Sequence, residues 1–148
     1  MFVLSKRADS ASQVIATLLA TALVLYALGV QQYAQAANVT FVSDTLSDSD
    51  SGSLSNHSIS FIAPSGVALG QSIAITFPAG FSMGSVAFGD IDLEVNGVDR
   101  TLAATPAGAT WGATVSGQVL TLLSGTGTID GTSTIVVKVG TNADSGVN

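Results

Sequence analysis

The chain contains no cysteine, which removes disulfides, thiolate metal sites and cysteine nucleophiles together. Charge is also scarce: Lys and Arg number 4 and Asp and Glu 10 among 148 residues, a net charge of -6. An acidic surface with so few cations repels polyanions, so nucleic acid is not expected as a partner. The single histidine, His57, has no second His or Cys with which to build a nitrogen or sulfur metal site; it reads as a polar cap closing a loop. Aromatic residues make up 6% of the chain, and beyond residue 36 there is no tyrosine and one tryptophan, Trp111. A lone tryptophan in a small β-domain reads as a core anchor, which leaves a carbohydrate-binding module only as an alternative. The three prolines, Pro64, Pro78 and Pro106, fall at the ends of expected strands, where a missing N–H harms no ladder.

Two of the four basic residues, Lys6 and Arg7, precede the uncharged run VIATLLATALVLYALGV of residues 14–30, and a polar segment then ends in Ala34-Gln35-Ala36. A basic start, an apolar run and an A-x-A site form the pattern of a secretory signal peptide cut after Ala36. The absence of cysteine does not argue against export, since many exported proteins lack disulfides. The alternative is a retained N-terminal membrane helix. The same stretch, KRADSASQVIATLLATALVLYALG, is similar to the N-terminus of archaeal-type type IV pilins. That likeness implies a cut between Ala8 and Asp9, a helix from about Ser10 to Ala36 and a filament subunit. Residues 1–36 are therefore a signal peptide or membrane helix, and residues 37–148 one β-domain.

Beyond residue 36 apolar residues alternate: Ile73, Ile75 and Phe77; Ile91, Leu93 and Val95; Ile135, Val137 and Val139. This two-residue period predicts half-buried strands, with more at 39–42, 58–62, 85–88 and 126–129. Asn96-Gly97 between IDLEV and VDRTL is the preferred pair for a two-residue hairpin turn, and Ser116-Gly117 is placed in the same role between GATV and QVLTL. The expectation is an all-β fold, an immunoglobulin-like or cohesin-like antiparallel β-sandwich of about eight or nine strands, preceded by one N-terminal apolar helix.

Enzymatic chemistry finds little footing, and the chain is read as non-catalytic. Gly80-Phe81-Ser82-Met83-Gly84 matches G-x-S-x-G, yet that motif needs a following helix and a downstream histidine; here Phe81 and Met83 are expected to tuck inward from a turn. The stretch SGTGTIDGTS lacks the spacing of a phosphate loop. Asn38 and Asn56 each open an N-x-[ST] triplet. In DTLSDSDSGSLSNHS, starting at Asp44, the series Asp48, Asp50, Gly52 resembles an EF-hand opening, but its twelfth residue is Ile59 where a bidentate Glu is needed. The stretch reads as a long surface connection between the first two strands, with Asp44, Asp48 and Asp50 as a minor cation candidate. A better one comes from the Asn96-Gly97 hairpin. Pairing Val95 with Val98 sets Glu94 opposite Asp99 and Asp92 opposite Thr101, with Asp90 extending the same face. Asp90, Asp92, Glu94 and Asp99 are thus the candidate ligands for calcium, which favours carboxylate oxygens; like charges across a ladder otherwise repel. The same register sets Arg100 awkwardly beside Leu93 on the apolar face.

The segments SDTLSDSD, SNHSISF, ITFPAGF and DIDLEVNG, within nearly all of the chain after Ala36, resemble an uncharacterised β-rich domain of secreted surface proteins from candidate phyla radiation bacteria. That resemblance implies export, an extracellular or cell-surface setting and a structural or adhesive role among envelope proteins or cell-surface ligands. Such chains continue past the point of GTNADSGVN, so a longer gene product covering an open sandwich edge is expected.

Overall fold

The computed structural model describes residues 12–23 and 38–143. The chain divides into two compact units, Met1–Gln35 and Ala36–Asn148. Within the first, residues 12–23 form helix α1, in which the hydroxyls of Thr17 and Thr21 donate back to the carbonyls of Gln13 and Thr17, at 2.9 and 2.8 Å. Among the described residues no helix is long and apolar enough to cross a membrane. Lys6, Arg7, both leader cuts and the A-x-A site lie outside the described residues.

Among its described residues the second unit is a two-sheet β-sandwich of nine strands: β1 Thr40–Leu46, β2 His57–Ile62, β3 Ser72–Thr76, β4 Ile91–Val95, β5 Val98–Arg100, β6 Leu102–Ala103, β7 Trp111–Ser116, β8 Val119–Leu123 and β9 Thr134–Val139. One sheet runs β1-β2-β9-β4-β5 and the other β3-β8-β7-β6. The all-β sandwich expected from the alternating pattern is therefore the fold. In β2, β4 and β9 every second residue points between the sheets. Ile91, Leu93, Ile135 and Val137 are completely buried there, facing Leu120 and Leu122 of the second sheet across the shared core. Each such side chain contributes about 1.5–3 kcal/mol on leaving water. Trp111 lies in the same core at 1% exposure.

The turns are built largely as their residues require. Asn96 and Gly97 both take positive φ, 53° and 75°, so β4 and β5 join through the two-residue turn that this pair favours. Asn96 does more than turn the chain, because its Oδ1 accepts the Thr134 N–H at 2.9 Å and anchors the hairpin to the start of β9. In the second hairpin Ser116 pairs with Val119, so the turn residues are Gly117-Gln118 rather than Ser116-Gly117. The physical reason is that Gly117, at φ 59°, supplies the positive dihedral needed at the first turn position.

Four expectations change in detail. Strand β1 runs four residues beyond position 42 into the Asp/Ser stretch, and the connection to β2 is the shorter segment 47–56, cross-braced by Ser47 N–H to the Asn56 carbonyl at 3.0 Å. Residues 85–88 form no strand. Instead the Val86 N–H bonds to the Met83 carbonyl and a 3-10 turn spans Phe88–Asp90, a path eased by Gly84 and Gly89, whose freedom disfavours extended pairing. In 126–129 only Ile129 bridges, to Val67; the rest is coil pressed so closely on its neighbours that a Cβ on Gly127 would sit 2.9 Å from Trp111 Nε1. Finally, the ladder opposite β4 stops at Arg100. The chain then crosses to the second sheet, where Leu102 pairs with Trp111 in a short parallel ladder, the one departure from antiparallel order among the named strands.

Candidate carboxylate site

Alternation along β4 sends Ile91, Leu93 and Val95 into the core, so Asp92 and Glu94 project from the other face of the sheet. The expected register of the hairpin holds: Glu94 stands opposite Asp99, and Leu93 opposite Arg100. Asp92, Glu94 and Asp99 each bring a carboxylate oxygen within 4.8 Å of the other two, and they are the group of this kind among the described residues. Asp90, the fourth candidate, does not join them. It belongs to the 3-10 turn before β4, where strand alternation has not begun, and its Oδ2 accepts the Ala87 N–H at 2.9 Å.

Asp92 is not opposite Thr101, because β5 ends one residue earlier. Its cross-strand neighbour is Lys138 on β9. The Lys138 ammonium contacts Glu94 Oε1 and lies 3.3 Å from Asp92 Oδ2. Lys138 was the residue that sequence reasoning missed. Its place between the apolar Val137 and Val139 marks it as outward-facing on a strand, but nothing local says that β9 lies beside β4. Arg100, directly across from Leu93, is half-buried, and its Nε has no hydrogen-bond partner among the described residues.

Asp92 is fully buried, and its Oδ1 also lacks a hydrogen-bond partner among the described residues. Burial raises its pKa above the ordinary 3.8; the hydrogen bond from Lys138 opposes the rise, and the nearby charges of Asp99 and Glu94 reinforce it. Lys138 is raised above 10.5, first through its hydrogen bond to Glu94 and against the cost of its own desolvation. For both groups the folded state holds the proton more tightly than the unfolded chain. The contribution of Asp92 is thus complete below about pH 3.8 and is lost as pH rises through its folded value, while that of Lys138 persists to about pH 10.5 and is lost above it. Asp92→Asn should therefore gain on the wild type as pH rises from about 3 to about 7, read as the difference between their urea midpoints. A difference that stays constant with pH would show that Asp92 titrates as it does in water.

The other candidates resolve into structural roles. His57 is a buried strand residue, not a loop cap: its Nδ1 lies 2.8 Å from Asp44 Oδ2, and its ring meets Phe77 and Phe81 edge-on at 5.1 Å each. Asp48 spends its Oδ1 on the Asp50 N–H at 2.8 Å. Asp44, Asp48 and Asp50 are not brought together, because the first is drawn into a strand pair while the others shape their own loop. Ser82 is exposed on the turn after β3, and Phe81 and Met83 tuck inward as expected. Asn56 holds Thr141 through both its amide oxygen and nitrogen, at 2.9 Å, and so pins the start of β2 to the exit of β9. These features define a two-sheet β-sandwich protein with an acidic cluster beside a lysine on one sheet. Comparisons of the chain with family models, with curated proteins and with solved structures find no match.

Proposed function

We propose that this chain is a non-catalytic structural or adhesive module of the extracellular space or cell surface, working through the shape of its sandwich and the edges of its sheets. The observation that carries the reading is β1. Among the described residues it is an edge strand, paired only with β2, and it is exposed along its whole length. Phe41 and Val42 in it are 83% and 62% exposed. An edge strand with free backbone groups and apolar side chains is suited to contact with other proteins, and the N-terminal signal pattern and the likeness to secreted surface domains point the same way. Trp111, being buried, offers no face on which a sugar could stack, which weighs against the carbohydrate-binding alternative.

Expression with the native N-terminus, followed by protease treatment of intact cells and sequencing of the mature product, tests this. Loss of the domain from intact cells and a mature start at Ala37 are the expected results. A start at Asp9 would favour the filament subunit that retains its helix, and a product protected inside the cell would overturn export.

A further inference from the structure

We propose that Asp92, Glu94 and Asp99 ligate one divalent cation of the calcium class, and that Lys138 is a built-in competitor which the ion displaces. The inference is independent of the surface-module reading. Calcium takes oxygen ligands at about 2.3–2.6 Å, so two ligands of one ion lie at most about 5 Å apart, and the three carboxylates satisfy that limit mutually. Acidic residues alone would not make a site. The further observation is Asp92, whose side chain is fully buried while Oδ1 has no hydrogen-bond partner among the described residues. A buried, unpaired carboxylate oxygen is costly unless something positive meets it.

Lys138 meets the cluster only in part. One ammonium faces three carboxylates, contacting Asp92 Oδ2 and Glu94, while Asp99 has no cationic partner within ion-pair distance among the described residues. The lysine side chain keeps 26% of its surface exposed, so its long stem can swing the ammonium into water. A dication in its place would face the same three carboxylates with twice the charge. Glu94 and Asp99, each half-buried, leave room for waters to complete a coordination shell of six to eight oxygens.

The test is calorimetric titration of the purified full-length chain with calcium chloride, with thermal melting in calcium and in chelator alongside. Wild type should melt higher in millimolar calcium than in chelator. Lys138→Met should bind calcium about tenfold or more tightly than wild type, because the competing charge is gone. Asp99→Asn, which removes no partner of Lys138, should fold normally and lose both the heat and the melting shift. Calcium binding no tighter in Lys138→Met than in wild type would show that the lysine does not compete for the site. Absence of heat and of a melting shift in wild type at 10 mM calcium, roughly the weak end of extracellular calcium sites, would overturn the proposal. An unchanged response in Asp99→Asn would overturn it equally.

Discussion

Trp111→Ala is expected to lower the unfolding free energy by about 3–5 kcal/mol, a loss typical of truncating a buried large aromatic. Trp111 opens β7 and is 1% exposed between the sheets. Its backbone N–H bonds to the Thr101 carbonyl at 2.9 Å, next to the point where the chain crosses from β5 to β6. Gly127 packs against its indole so tightly that no Cβ fits between them, and the coil around Gly127 would therefore lose its support. Domains of this size hold only about 5–15 kcal/mol in total, so the variant should unfold at a much lower urea concentration. Because Trp111 is the sole tryptophan, its fluorescence in the wild type should shift to the red on unfolding, while circular dichroism follows the variant. A loss below about 1 kcal/mol would mean that the indole is at the surface.

Lys138→Met should cost about 2–3 kcal/mol near neutral pH. Removing one partner of a buried pair exposes the other to the full penalty of an uncompensated charge, about 3–5 kcal/mol in deeply buried cases; the partial exposure of Lys138 and Glu94 reduces it here. The loss should shrink in acid, where Asp92, its pKa raised by burial, takes up a proton and needs no counter-charge. Adding Asp92→Asn to Lys138→Met should recover part of the stability at neutral pH, since the orphaned charge is then gone. Urea unfolding of the two single variants and the double variant measures this coupling. Strictly additive effects would show that Lys138 and Asp92 do not interact.

The local features were legible where neighbouring residues decide them. Asn96-Gly97 fixed its turn because that pair adopts two positive φ values cheaply, and from that turn the facing of Glu94 and Asp99 followed by counting. Ile91, Leu93 and Val95 fixed which side of β4 faces the apolar core. At the second hairpin, where one glycine can stand at either turn position, the turn lies at Gly117-Gln118, one residue on from the expected Ser116-Gly117. Where strand propensity met turn chemistry, as at 85–88, the alternating pattern misled, because a carboxylate from Asp90 closes a 3-10 turn that local hydropathy does not reveal.

His57 shows the limit most plainly. In the chain it follows a run of serines and an asparagine, so it looked like the end of a loop; in the fold it is held by Asp44 from the neighbouring strand and by Phe77 and Phe81 from beyond β3. Lys138 shows it again, since its partners lie more than forty positions away, the separation to Asp92 being 46.

What the sequence by itself determined is the class of the fold, the inward faces of the strands and the pairing of Glu94 with Asp99, because side-chain alternation and turn geometry act over a few residues. Only the tertiary structure decided that β9 lies against β4, that Lys138 thereby enters the carboxylate cluster, and that Asp90 stays out of it. Strand order is set by how two sheets close over one core, and that depends on contacts between distant segments which no local pattern encodes.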